Sequence, residues 1–404
     1  MSVVGDVRIC SHHVGGRSGT RNLPIVGGFE ADVVSVFYEP DTTAVDGIHR
    51  ATEHLASETR VLTDCLSGDG GVRPFYIFND RYRSSILPLV PDFARRYAFD
   101  PQFGWDTDPE STEVVERLEL ETITLDAVMK RDGEALPAPD YLSIDTQGTE
   151  LEILQGGLEA LTENVLAVFV EVGFAPTYEG QPMFSALEAF LRERGFTLAS
   201  LEVFPAQART RERVPIGFRG AGFIDSGEAL FLRDPRNGLP GAANQDLALA
   251  KLAAIAFMHG FPHETFALLD QLGGERLARL VDGAHESVGY LAFLAEFRSI
   301  MNSQARVYPM LYSHVLGAEH SAARFSDPDL LSKLDPMQRL LRYYHGAAPG
   351  EVNQALMSLG QPDFIGIEEL AARYGMAEIA EEIRASRLQQ VEKTRIWLGL
   401  ATPG

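Results

Sequence analysis

At 404 residues and 45% hydrophobic side chains, the chain has ample apolar content for folding and is too long for one core, which excludes disorder and points to two domains. Two cysteines, Cys10 and Cys65, exclude a disulfide framework and fit a reducing, cytoplasmic compartment, and no apolar run approaches the roughly 20 residues of a membrane span. The net charge of −22 is unevenly spread: residues 236–404 hold 15 Lys and Arg against 19 Asp and Glu, a net of −4, which leaves −18 on residues 1–235 and argues against a nucleic-acid partner.

Taken in order, Val7 to Cys10 predicts a first strand, and Ser11 to Thr20 a loop with Gly15, Gly16 and Gly19. Glycines after a first strand let a cofactor approach the backbone closely. Val33 to Tyr38 predicts a second strand that ends in Glu39-Pro40-Asp41. The step from Gly15 to Glu39 is the spacing at which a second-strand carboxylate meets a ribose diol. His12 and His13 would point apart in an extended segment and lack further ligands, so no metal site is expected.

Ala44 to Ser57 predicts a helix capped by Asp41 or Thr43, and Thr59 to Leu66 a third strand. The end of that strand lies where a base would rest, making Asp64, Cys65 and Leu66 candidate contacts. Gly68 to Gly71 reads as a hairpin turn and Val72 to Phe78 as the next strand. Ser84 and Ser85 follow, two small hydroxyls that could orient a substrate or cap a turn. Residues 88–112, with Phe93, Tyr97, Phe99, Phe103 and Trp105, read as a covering lid or as an insertion packed on its own domain.

Val114 to Asp126 predicts a strand passing into a helix. The central stretch is Tyr141 to Gly157, YLSIDTQGTELEILQGG, a strand ending in Asp145, a turn at Gln147-Gly148, and a helix opened by Glu150. Asn164 to Val172 repeats the form and ends near Glu171. Tyr178 and Gln181 sit on the loop above it as candidate substrate contacts. A helix to Arg194 and two closing strands, near 196–201 and 229–233, complete the α/β pattern. The Pro- and Gly-rich residues 234–241 predict a domain boundary, and helical patterns follow, among them 247–259, 264–272, 291–301, 328–345 and 376–398. The last of these offers an apolar face to the first domain or to a second subunit.

The central stretch, continued by VFVEVGFAPTYEGQPMFSALEAFLRERGF from Val168, resembles the FkbM family of S-adenosylmethionine-dependent methyltransferases. The resemblance is dense over 110–205, traceable over 1–234, and does not reach the last 170 residues. It implies a Rossmann-like, seven-strand class I sheet, S-adenosyl-L-methionine as cofactor, and a hydroxyl of a sugar, glycan or secondary metabolite as acceptor. Glu39 is then the ribose ligand, and Ser84 and Ser85 flank the active site. Asp145 and Gln147 join Gly15, Gly16 and Gly19 at the cofactor. His13 stands where members of the family carry an acid. Asp145 and Glu171, with His13 as a further source, are the candidate bases. Two other readings stay open: a cofactor-binding scaffold, and a nicotinamide-dependent oxidoreductase, although neither Gly-x-Gly-x-x-Gly nor Tyr-x-x-x-Lys is found.

Overall fold

The computed structural model describes residues 7–17, 19, 21–24, 27–91, 109–204, 224–240, 244–284, 288–303 and 366–398. The aromatic residues expected in a lid and the helix expected over 328–345 lie outside these.

Among the described residues, ten strands form two sheets: β1 (Ile9–Val14), β2 (Val33–Tyr38), β3 (Glu58–Leu62), β4 (Cys65–Leu66), β5 (Gly71–Phe78), β6 (Val114–Ile123), β7 (Tyr141–Ile144), β8 (Ala167–Gly173), β9 (Phe196–Val203) and β10 (Ser226–Arg233). The larger sheet has the order β3-β2-β1-β7-β8-β10-β9. Its first five strands are parallel, and β10 runs antiparallel between β8 and β9. This is a mixed α/β, Rossmann-like architecture. The central strands are apolar runs because helices cover both faces. On one face, Val36, Val14, Ile144 and Val170 pack on α2 (Leu125–Asp132), α3 (Glu150–Gly156), α4 (Leu158–Glu163) and α5 (Phe184–Arg192), through Val128, Ile153, Leu161 and Leu191. On the other lie α1 (Thr42–Thr52), capped by Asp41, and α6 (Gln245–Met258), capped by Asn244.

The structure corrects three local expectations. Ser11 to Val14 belong to β1 and not to a loop, because β1 pairs with β2 and β7 along this length and its polar side chains find partners inside. The expected third strand divides: β3 edges the large sheet, whereas β4 joins the small one. The Gly68–Gly71 turn closes no hairpin, since β6 lies between β4 and β5 and pairs with both.

One compact unit comprises residues 1–25 and 29–289. It continues through the Pro- and Gly-rich stretch and takes in α6, α7 (Pro262–Leu272) and α8 (Gly274–Gly283). Helix α6 is apolar nearly all round, with 11 buried residues, as suits a helix laid on a sheet. Its Lys251 reaches both oxygens of Asp140, just before β7, at 3.1 and 2.8 Å, and His259 stacks on Tyr141. The second unit comprises residues 26–28 and 290–404. Its described part includes nearly all of α9 (Gly289–Ser303), with α10 (Gly366–Arg373) and α11 (Ala377–Leu398), and Phe293 meets Phe297 and the edge of Tyr374. No described helix is long and apolar enough to cross a membrane.

Candidate active site

The carboxyl ends of β1, β2 and β7 open into a cavity of about 800 Å³, counting the part open to solvent. Open α/β sheets bind ligands at this edge, where the strand order reverses. Two glycine turns shape it. Gly15 has φ +88°, and a methyl there would overlap the Asp145 carbonyl, so β1 and β7 meet at this point only through glycine. Gly15 and Gly16 both donate N–H to the Tyr38 carbonyl, which draws the loop over β2. The second turn holds Gln147 at φ 61° and Gly148 at φ 104°.

Gly15, Glu39, Asp64, Cys65, Leu66, Ser84, Ser85, Asp145 and Gln147 all line this cavity. Glu39 is buried, and its Oε1 accepts from Asp41 N at 2.8 Å. Burial holds its pKa above the usual carboxylate range. Asp64 is clamped by Arg131, which donates to both its oxygens at 2.7 and 2.8 Å. Burial pushes the Cys65 thiol up to about 12, so it is no nucleophile at neutral pH. Ser85 Oγ donates to the Gln147 carbonyl and accepts from Leu87 N, which fixes the turn.

Other expected residues stand outside the cavity wall. His13 is buried on the α1 side of the sheet, with its Nε2 2.8 Å from Ser11 Oγ and its ring stacked on Phe37. Strand alternation turns it away from the cavity, and burial depresses its pKa to about 3, so it is neither cofactor contact nor base. His12 points to the opposite face, against Tyr38 Oη and the Pro137 carbonyl. Gly16 packs on Phe37, and Gly19 on Ile48 and Ala51 of α1. Tyr178 and Gln181 are not positioned as direct substrate contacts. Tyr178 is buried with its Oη donating toward the Arg83 carbonyl and Gln147 Oε1, while Gln181 Oε1 accepts from Thr177 N and Tyr178 N. They fix the loop behind Gln147.

Gln147 links the two carboxylates. Its Nε2 donates to Asp145 Oδ1 at 2.7 Å and to Glu171 Oε2 at 3.0 Å. Asp145 is exposed to the cavity, whereas Glu171 stands behind Gln147. Burial, then the charge of Asp145, raises the Glu171 pKa well above the carboxylate range. The sequence reading missed Arg17, Arg81 and Tyr82, which also line the cavity. The Arg81-Tyr82-Arg83 run, basic within an acidic domain, was the available signal.

Glu150 sits beneath the turn. Its Oε1 accepts from Gly148 N, Thr146 N and Thr146 Oγ1, at 2.9, 3.0 and 3.2 Å. Burial outweighs these bonds and lifts its pKa from 4.5 to about 7. A folded carboxyl that holds its proton more tightly than the unfolded one loses stability as pH rises through this window, and the loss is complete above it. Glu150→Gln keeps the acceptor oxygen without the charge. Its stability relative to wild type is expected to improve by on the order of 1–2 kcal/mol between pH 5 and pH 8. Urea unfolding at both pH values checks this, and an unchanged difference would show that the buried charge carries no penalty.

Residues 71–198 match the model of the Methyltransferase FkbM domain. The matched span includes Ser84, Asp145, Gln147 and Glu171 and leaves Gly15 and Glu39 before it. No curated protein and no solved structure matches the chain.

Proposed function

We propose that this methyltransferase domain uses S-adenosylmethionine to methylate a hydroxyl oxygen on a sugar, glycan or secondary metabolite. The reading is carried by one observation: Gly15, Glu39 and Asp145, from three different strands, line a single cavity at the carboxyl edge of the sheet. The residues fit the cofactor in kind. The bare backbone at Gly15 admits close approach, Glu39 suits a ribose diol, Cys65 and Leu66 offer apolar contact to a base, and Asp145 suits an ammonium group as the alternative to the base role below.

The bound cofactor would supply an electrophilic methyl group on a sulfonium. The chain must then align an acceptor hydroxyl and remove its proton. Asp145 is the carboxylate open to the cavity and is the group we assign to receive that proton. Gln147 holds it in place, and Glu171 acts through Gln147 as a positioning residue. His13, turned inward where family members carry an acid, supports a second reading as a cofactor-binding scaffold without turnover.

Calorimetric titration with S-adenosylhomocysteine tests the cofactor site. Wild type is expected to bind in the micromolar range, and Glu39→Ala to lose on the order of 1–3 kcal/mol by leaving polar groups unpaired. Absence of binding by wild type would sink the methyltransferase reading as stated. Binding without transfer to any hydroxyl acceptor would favour the scaffold.

A further inference from the structure

Arg17, from the glycine loop, and Arg81, from the turn after β5, both line the cavity. Both lean on the same oxygen, Asp41 Oδ2, at 2.8 and 3.3 Å. The other oxygen, Asp41 Oδ1, is committed to the cap of α1, where it accepts from Thr43 N and Thr43 Oγ1. That one oxygen serves two guanidinium groups, and Glu39 is a second carboxylate near Arg17, so Arg81, at the longer distance, is the less fully balanced of the two. The two arginines differ in access: the Arg17 side chain is 22% exposed and Arg81 is 49% exposed. Close to Arg81 in sequence, the Ser84 hydroxyl is shielded from solvent and has no hydrogen-bond partner among the described residues.

The rest of the cavity is acidic, with Glu39 and Asp145 on its wall. An anionic molecule would be repelled from such an edge unless a fixed cation faced it. A wholly neutral acceptor would leave the exposed Arg81 guanidinium with only the Asp41 oxygen that it shares with Arg17. The cofactor brings one carboxylate of its own, which Arg17 beside Gly15 and Gly16 is placed to take. That leaves Arg81, whose planar fork suits a carboxylate or a phosphate.

Resting on the cofactor reading above, we propose that Arg81, together with Ser84, selects a methyl acceptor that carries an anionic group, a carboxylate or a phosphate, beside its hydroxyls. Arg81 is thus a specificity-determining residue of the acceptor side.

Calorimetry on the full chain tests this in two stages. Homocysteine-form cofactor, S-adenosylhomocysteine, is titrated first into wild type, Arg81→Gln and Arg81→Lys. With that ligand saturating, glucuronate, glucose 6-phosphate and glucose are titrated next. Wild type is expected to bind glucuronate or glucose 6-phosphate about tenfold or more tightly than glucose, and Arg81→Gln to lose that preference while its S-adenosylhomocysteine affinity stays within about twofold. Arg81→Lys keeps the charge without the fork and is expected to fall between them. The stronger of the two anions tells carboxylate from phosphate recognition. Equal binding of glucose and both anions, or no anion binding, overturns the proposal. So does a loss of S-adenosylhomocysteine affinity in Arg81→Gln, which would assign Arg81 to the cofactor. Failure of wild type to bind S-adenosylhomocysteine would sink the cofactor reading and this proposal with it.

Discussion

Gly15→Ala is expected to lower the thermal midpoint by roughly 5–15 °C and to abolish S-adenosylhomocysteine binding. Two costs add. Alanine at φ +88° adopts a conformation unfavourable by about 1–2 kcal/mol. Its methyl group would also overlap the Asp145 carbonyl, a backbone atom fixed by β7, and relief requires β1 and β7 to part, at about 1–3 kcal/mol. The displacement falls where the cofactor would lie, so binding suffers beyond stability. Gly180→Ala separates the two costs. Gly180 has φ +80°, but no atom lies within 4 Å of where its methyl would be, so only the conformational cost applies. Scanning calorimetry on both variants decides the matter. If Gly15→Ala is no worse than Gly180→Ala, the approach of β1 to β7 is not the constraint described.

The second large effect lies away from the cavity. Asp140 accepts from Cys10 N at 2.8 Å and pairs with Lys251 of α6, whose side chain is 8% exposed. Asp140→Ala leaves that ammonium buried without its partner and frees the Cys10 N–H, and is expected to cost about 3–5 kcal/mol. Lys251→Met should cost less, because Asp140 keeps the Cys10 bond and the methionine refills an apolar surround. Urea denaturation of the two single variants and the double variant measures the coupling. Additive losses would show that α6 is only laid beside the sheet; a double variant close to Asp140→Ala alone would show that it is tied to it.

Much of this architecture was legible in the chain. The run from Tyr141 to Ile144 ending in Asp145 carries its own strand, turn and helix signals, and β7 and α3 appear where expected. So do Gly15 and Glu39, at the carboxyl ends of β1 and β2 and on the wall of one cavity. What escaped depended on pairings distant in sequence. The Gly68–Gly71 turn has hairpin composition, yet β6, some forty residues on, comes between its flanking strands. His13 looked available because local sequence does not tell which face of β1 turns inward. Tyr178 and Gln181 were placed correctly on the loop, but only the fold shows them bonded to Gln147 and to their own turn. Described helices follow the Pro- and Gly-rich stretch, and packing of α6 carries the compact unit past it.

That packing sets a schedule for synthesis. The last strand of the large sheet ends at Arg233, but α6, which shares the second face with α1, spans Gln245 to Met258. A nascent chain that ends after β10 therefore still lacks α6 on the face that α1 covers in part, and domains generally complete folding as units during translation. Closure of that face must wait until α6 has been synthesised and released. A stall or premature stop anywhere between residues 234 and 258 would leave the sheet without that cover, in an aggregation-prone form.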